Sequence, residues 1–517
     1  MLSHAHRVRA GVTAAVARVT SRVVVPTVAL ALALSLPSGA VLPPSGASAA
    51  VTPPPAAARG TDARPNILLI TSDDQRDDEM PWMPFTRRLI GRTGVDVTDF
   101  ISPHPLCCPA RAEIFTGEYA HNNGVRHNGG PYGGWQAFVD AGNSDEHLGV
   151  WLQDAGYRTA FVGKMLNGYD RSAAVLPGFD HWNPTVAAPY AYYGTTFFDD
   201  GQPRQYRDDY VADVAADYAH DYIREFSAQQ APWFLWISHV GPHDAHRNGV
   251  DRAPIPAERH ADLFPDEVPP SLARDSFNEP DTGDKPSEVR TGKVRKRAIT
   301  AEFRARIRSL QAIDEANRAA VRQLRRLGEL DDTIIVYTSD NGYLLGEHRL
   351  TGKNVPYEEA LQVPFLVRGP GLPRGEELDE RLTMVDVAPT FLHAAGVLAD
   401  VRAAGHTDGI DMWPVLTGRR SAPSTHLTQA GTSSPEVQAA FGWWWRGVTT
   451  DRWSYTRWWT GETELYDRSA DPLQLDNLAD DPTYRSVRRE LQDRLDVLGS
   501  CAGPAACNQD LGAEPQP

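Results

Sequence analysis

The chain has 517 residues, 41% of them hydrophobic and 23% charged. That composition excludes a disordered or membrane-embedded polymer and suits one large α/β domain plus a smaller one. The formal net charge of −16 argues against general binding to nucleic acid or anionic membranes, although a locally positive pocket for a small anion stays compatible with it.

Residues 1–24 carry Arg7, Arg9, Arg18 and Arg22 and no acid, and an apolar run follows to Leu36. Small residues then lead to Ala47-Ser48-Ala49. This is the pattern of a cleaved secretory signal over 1–49, with secretion as the expected destination. A membrane anchor is the alternative, but Pro26 interrupts the run and leaves too short a span for a bilayer. No Arg-Arg pair occurs there, which favours the general export route. Cleavage would lower the net charge to −20. The Pro- and Ala-rich stretch 50–63 reads as a disordered lead-in. The remaining bounds are a large domain over 64–420, a small α+β domain over 421–500 and a tail over 501–517.

Short, nearly continuous apolar runs predict strands buried on both faces of a parallel sheet at 66–70, 159–163, 232–237 and 333–337, and 362–367 reads as a further strand. Ligands of such sheets bind beyond the carboxyl ends of the strands. The first run is followed by Asp73-Asp74, the second by Lys164, the third by His239 and then His243, and the fourth by Asp340-Asn341. Four strands therefore deliver two polar acidic pairs, a lysine and two histidines to one edge. A helix is predicted over 302–327, stopping at Gly328, and a closing helix over 487–498. The stretch 246–300 is long, Pro-rich and charged, with a basic run at Lys293, Arg295, Lys296 and Arg297; it reads as a solvated loop or a substrate-facing insertion. Trp443-Trp444-Trp445, Trp453, Tyr455, Trp458 and Trp459 suggest antiparallel strands, their rings forming either a core or a carbohydrate platform.

Of the four cysteines, Cys501 and Cys507 lie close together, and export permits a disulfide between them. Cys107 and Cys108 are adjacent, which makes a mutual bridge strained. They open Cys107-Cys108-Pro109-Ala110-Arg111, followed by Thr116-Gly117. With Asp73-Asp74 upstream and Ser339-Asp340-Asn341-Gly342 downstream, this C-x-P-x-R pattern resembles the sulfatase family, whose motif directs oxidation of its first cysteine to formylglycine. The resemblance runs from about residue 64 to 480. It takes in Gly163-Lys164, Pro242-His243, Gly346-Glu347-His348 with Lys353, and Glu464-Leu465-Tyr466-Asp467. The double cysteine and Gly163-Lys164-Met165-Leu166-Asn167 look most like the N-acetylglucosamine-6-sulfatase and arylsulfatase branch.

The resemblance implies an alkaline phosphatase-like α/β/α sandwich around a mostly parallel sheet, followed by a small domain with an antiparallel sheet. It also implies hydrolysis of a sulfate ester, and maturation by a formylglycine-generating enzyme acting on Cys107. Hard oxygen donors on Asp73, Asp74, Asp340 and Asn341 suit calcium, which would also touch the modified Cys107. Arg111, Lys164 and Lys353 would hold the anionic oxygens, and His243 would protonate the departing oxygen. His239 and His348 divide between substrate contact and scaffold support. Two departures stand out. Leu166 occupies a position where many relatives carry a histidine, for which His121 or Asn167 are the candidate substitutes, and Asp244-Ala245-His246 follows His243 where a second proline is usual. A phosphodiester or phosphonate monoester hydrolase on the same scaffold, and an inactive secreted carbohydrate-binding protein, are the rival readings.

Overall fold

The computed structural model describes residues 64–517 apart from 171, 187, 188, 248 and 249. The expected signal and lead-in lie outside the described residues. Ten strands form the main sheet: β1 (Asn66–Ser72), β2 (Val95–Val97), β3 (Arg158–Gly163), β4 (His181–Val186), β5 (Thr196–Asp199), β6 (Gln202–Gln205), β7 (Trp233–Ser238), β8 (Thr333–Ser339), β9 (Phe365–Arg368) and β10 (Glu376–Leu378). Their order is β10-β2-β9-β8-β1-β7-β3-β4-β5-β6. The central five, β8-β1-β7-β3-β4, run parallel. The predicted strand at 362–367 is β9, which runs antiparallel to β8.

Alternation along the strands explains why the runs are apolar throughout. Ile67 and Leu69 of β1 pack with Phe161, Trp236 and Val336 on one face, while Leu68 and Ile70 pack with Val162, Leu235 and Tyr337 on the other. The first face is covered by α1 (Cys107–Thr116), α2 (Leu148–Asp154) and α5 (Val387–Ala394), the second by α3 (Val211–Ser227) and α4 (Lys296–Leu327). Helix α4 starts six residues before the predicted boundary and ends at Gly328 in the left-handed region, as its sequence requires. No helix among the described residues is long and apolar enough to cross a membrane.

A separate antiparallel sheet follows: β11 (Thr425–Ala430), β12 (Trp445–Thr450), β13 (Trp453–Trp458) and β14 (Thr463–Asp467). On one face Leu427, Val448, Tyr455 and Leu465 pack with Val487 and Leu491 of α6 (Arg485–Leu498). On the other, Trp445, Trp458 and Tyr466 pack with Ile101, Val289 and Tyr357. The tryptophans Trp445, Trp453 and Trp458 are therefore core rather than a carbohydrate platform. The Pro-rich stretch is likewise neither a solvated loop throughout nor an open insertion. Ser271, Glu279, Lys285 and Val289 are buried in it, while the basic run at Lys293, Arg295, Lys296 and Arg297 is exposed. Cys501 and Cys507 are joined by a disulfide.

One buried histidine makes part of the fold acid-sensitive. The ring of His147 is fully buried and caps α2 by accepting the Gly149 N–H at 3.1 Å. Burial pushes its pKa down to about 3, outweighing its backbone hydrogen bonds. A histidine in the unfolded chain titrates near 6.5, so below that pH the unfolded state binds a proton that the folded state refuses. The contribution of neutral His147 is whole above pH 6.5 and is lost as pH falls toward 3. His147→Asn keeps a capping oxygen without the titration. The variant is expected to lose about 2 kcal/mol less stability than the parent between pH 7 and pH 5 in urea titrations. An equal loss in both proteins would contradict this account of His147.

Candidate active site

Strand register brings the polar residues together. Ser72 of β1 pairs with Ser339 of β8, so the next residues, Asp73 and Asp340, emerge side by side. Thr71 pairs with Ser238 of β7, and Ser238 pairs with Gly163 of β3, which places Lys164 next in the row. Gly163 has φ 110°, and a Cβ there would lie 1.9 Å from the Ser238 carbonyl oxygen, so no other residue fits this close crossing. Asp74 takes a left-handed φ of 67°, a conformation that aspartate tolerates better than most residues.

Cys107 is the first residue of α1, whose ten residues are all buried and which ends at left-handed Gly117. The helix N-terminus offers its positive end to an anion, and the four-residue spacing puts Arg111 on the same face as Cys107. The Cys107 Sγ lies 3.6 Å from Asp73 Oδ1, 3.9 Å from Asp74 Oδ1 and 2.8 Å from Lys353 Nζ. The Lys164 ammonium pairs with Asp73 and the Lys353 ammonium with Asp74. Arg111 donates from Nε to Asp340 Oδ2 at 3.0 Å, and from Nη1 to the Lys164 carbonyl at 2.9 Å and to Ser238 Oγ. The other oxygen of Asp340 accepts the backbone N–H groups of Asp74 and Asn341 at 3.0 and 2.9 Å.

His243 reaches the same centre from the loop after β7. Its Nε2 lies 3.6 Å from Asp74 Oδ2, and its Nδ1 sits 2.7 Å from the Asp244 carbonyl, which places the ring proton on Nδ1 in the neutral form. Asp73, Asp74 and Lys164 are buried, whereas the side chains of His243 and Lys353 keep 16% and 13% exposure. Solvent and ligand therefore meet the centre on the His243 and Lys353 side.

Burial opposes every charge in this cluster, and the charges decide the outcome among themselves. For Asp73, Lys164, His243 and Arg111 overcome burial and hold the carboxyl below its usual range. Asp340 is pushed up to about 6 by burial and by Asp73, against Arg111 and Lys164. Burial also pushes the Cys107 thiol up to about 12, against Lys164 and Lys353. An unmodified Cys107 is therefore a thiol at neutral pH and a poor nucleophile.

The donors fit a hard cation. Asp73, Asp74, Cys107 and His243 offer atoms within 4.8 Å of one another, and Asn341 turns its Nδ2 to Asp74 at 2.8 Å, leaving its Oδ1 buried without a hydrogen-bond partner. Carboxylate oxygens with an unengaged amide oxygen suit calcium better than a softer metal.

The weaker sequence candidates fare differently. His121 lies apart from the cysteine: its Nε2 contacts the Cys501 carbonyl at 2.8 Å and its ring stacks on Tyr119, so the C-terminal tail holds it. Asn167 approaches Cys108 rather than Cys107, its N–H donating to the Cys108 Sγ at 3.1 Å and its Oδ1 accepting from Tyr190 at 2.9 Å. His239 is buried with both ring nitrogens unpartnered, and burial takes its pKa down to about 4; Asp213 of α3 is the charged group that it feels. His348 has its Nδ1 2.7 Å from Glu279 and its ring stacked 4.2 Å from that of Tyr357.

Tyr190, Ser238 and Arg306 went unnoticed in the sequence. Tyr190 stacks on His243 at 4.2 Å and lies 4.7 Å from the Lys164 ammonium. Arg306 of α4 donates to the Asp74 carbonyl and to Glu79. Arg306 lies inside α4 and Tyr190 four residues beyond the end of β4 at Val186, and no sequence motif marks either. Ser238 ends β7, but a lone serine at a strand end carries no motif of its own.

Comparison with known proteins agrees with this geometry. Residues 65–397 match the sulfatase family model, and residues 346–500 match the N-sulphoglucosamine sulphohydrolase C-terminal model. The chain is 36% identical over 361 residues to a putative extracellular sulfatase Sulf-1 homolog of Caenorhabditis elegans, covering 67% of this chain and 49% of that protein. An arylsulfatase of Chlamydomonas reinhardtii is 32% identical over 86% of this chain and 76% of its own length. The human N-acetylglucosamine-6-sulfatase is 29% identical over 86% of each chain. A solved protein in complex with its substrate D-glucosamine-2-N,6-O-disulfate superposes with TM-score 0.67 at 24% identity, over 84% of this chain and 97% of its own. The phosphonate monoester hydrolase of Agrobacterium radiobacter shares the fold, with TM-score 0.61 at 21% identity, over 84% and 96%.

Proposed function

The chain belongs to the sulfatase family, and from that premise we propose that it is a secreted, calcium-dependent sulfatase acting on a sulfated sugar through Cys107 oxidised to formylglycine. One observation carries this reading: Cys107 heads a buried helix directly against Asp73, Asp74 and Lys353, with Arg111, Lys164 and His243 closing round it. Secretion is supported by the basic and apolar start of the chain, by the Cys501–Cys507 disulfide and by the resemblance to extracellular sulfatases. The sugar substrate is supported by the likeness to N-acetylglucosamine-6-sulfatases.

Asp73, Asp74, Asp340, Asn341 and the modified Cys107 would hold calcium, which when bound supplies positive charge beside the sulfate oxygens. The rest of the work falls to the chain itself. Arg111, Lys164 and Lys353 neutralise the monoester anion that would repel a nucleophile. One hydroxyl of the hydrated aldehyde gives its proton to the adjacent Asp73–Asp74 carboxylates as its oxygen bonds to sulfur and the sulfur–oxygen ester bond breaks. His243, as the imidazolium with a proton on each ring nitrogen, gives the Nε2 proton to the departing sugar oxygen. Burial lowers the pKa of this histidine while Asp74 and Asp73 raise it, and an arriving sulfate adds to the second effect. The remaining hydroxyl then gives its proton to the His243 Nε2 vacated in the first step, the carbon–oxygen bond to sulfate breaks, and the re-formed aldehyde adds water to regenerate the hydrate. A thiol has no second hydroxyl on the same carbon and so no comparable route, which supports oxidation of Cys107.

The reading is tested by a peptide mass spectrum of the protein secreted by its own host, with turnover of one aryl group carried on sulfate, phosphate and phosphonate. The expected result is an aldehyde at Cys107, a thiol at Cys108 and preference for the sulfate. Preference for the phosphonate would move the chain to the chemistry of its structural relative from Agrobacterium radiobacter. An unmodified Cys107 without turnover of the sulfate would leave a binding protein.

A further inference from the structure

His243 is the histidine that joins Asp73, Asp74 and Cys107. Leu166, at the position where many relatives carry a histidine, is buried in the core, and His121 is held by the C-terminal tail. The orientation of one imidazole therefore matters more here than in a centre with two. Its own hydrogen bonds leave that orientation loose. Nδ1 sits 2.7 Å from the carbonyl of Asp244, the next residue along the same loop, and Nε2 lies 3.6 Å from Asp74 Oδ2, beyond a hydrogen bond. The torsion about the Cβ–Cγ bond of a histidine is broad unless a neighbour restricts it.

The segment after β4 supplies that neighbour. The Tyr190 ring lies against the His243 ring with centroids 4.2 Å apart and planes 19° from parallel. Two residues on, Tyr192 donates its hydroxyl to the His243 carbonyl at 2.6 Å. The segment thus meets the histidine at its ring and at its backbone. A flat neighbour in contact blocks rotation of the imidazole, because the turning ring would have to cut through it.

Tyr190 is itself fixed. Its hydroxyl donates to Asn167 Oδ1 at 2.9 Å, and the Asn167 N–H donates to the Sγ of Cys108, the residue after Cys107, at 3.1 Å. The Lys164 ammonium, paired with Asp73, lies 4.7 Å from the centre of the Tyr190 ring. A path of contacts therefore runs from the head of α1 through Asn167 and Tyr190 to His243.

We propose that Tyr190 is a positioning residue, whose stacked ring holds His243 Nε2 toward the oxygen that departs from sulfur. This rests on the sulfatase reading. Proton transfer needs donor and acceptor within about 2.6–3.2 Å, and a displacement of about 1 Å costs on the order of 100-fold. The role belongs to the ring and not to the hydroxyl, so phenylalanine keeps it and leucine loses it. It counts most for a poor leaving group, since an oxygen that departs as a stable anion needs little protonation.

Single-turnover release of the leaving group isolates the step in which His243 is the donor. It is measured for the parent, Tyr190→Leu and Tyr190→Phe, all secreted by the protein's own host, on two esters of similar shape. In 4-methylphenyl sulfate the phenol titrates like tyrosine, at about 10, whereas the phenolate of 4-nitrophenyl sulfate is far more stable. Tyr190→Leu is expected to lose about 30-fold or more on the methylphenyl ester and no more than about 3-fold on the nitrophenyl ester. Tyr190→Phe is expected to stay within about 3-fold of the parent on both. An equal loss on both esters would give Tyr190 a general structural role and overturn the proposal. Unchanged release of 4-methylphenol by Tyr190→Leu overturns it too, as does a loss in Tyr190→Phe as large as in Tyr190→Leu, which would move the role to the hydroxyl. Failure of the sulfatase reading shows in the parent instead, as no release from either ester, and takes this role with it.

Discussion

Replacing Cys107 by serine is expected to abolish multiple turnover, with kcat falling by at least about 10⁴-fold, the order seen when a covalent catalyst is removed. The geometry of the centre would survive, because serine is smaller and the contacts of Cys107 with Asp73, Asp74 and Lys353 are made by one side-chain atom. What would disappear is the second hydroxyl of the proposed aldehyde hydrate. A serine oxygen can attack sulfur once, after which the enzyme carries a sulfate ester with no internal group to expel it. Incubation with an aryl sulfate should therefore release at most one aryl group per chain and leave a mass increment of one SO₃ on the peptide holding residue 107. Continued turnover by the serine variant would show that the aldehyde hydrate is not the nucleophile.

The second large effect is expected at Asp340. Its two carboxylate oxygens do separate jobs, one accepting the N–H groups of Asp74 and Asn341 and the other pairing with Arg111 at 2.9–3.0 Å. Asp340→Asn has nearly the same shape, so one oxygen can keep the backbone bonds. Its amide NH₂ then faces the Arg111 guanidinium, donor against donor, with both groups buried. Removing one partner of a buried ion pair costs about 3–5 kcal/mol, because the remaining charge is left uncompensated. The variant should therefore melt earlier, bind calcium more weakly and lose about 10³-fold in kcat/KM for an aryl sulfate. Differential scanning calorimetry, calcium titration and kinetics read the three quantities separately. Loss of activity with unchanged melting and calcium affinity would mean that Asp340 acts only on the substrate.

These two residues also show what one-dimensional reasoning can and cannot reach. Cys107 and Arg111 were legible because a four-residue spacing is local, and Asp73 and Asp340 because each comes three positions after the end of an apolar run. The rule that strands of a parallel sheet end on one side then predicts that they meet, and the register of Ser72 with Ser339 bears it out. The antiparallel course of β9 was not legible, since a strand buried on both faces has the same composition in either direction.

The amino-acid sequence by itself determined the layered α/β architecture, the edge at which the chemistry sits and the family to which the chain belongs, because periodicity and short motifs are properties of neighbouring residues. Only the tertiary structure decided which distant side chains complete that edge. It brought Tyr190 onto His243 and Arg306 onto Asp74, withdrew His121 to the Cys501 carbonyl, and set Arg126 and Arg446 against one indole ring. Such pairings join residues dozens to hundreds of positions apart. Their energies come from burial, stacking and desolvated charge, which exist only after the chain has packed.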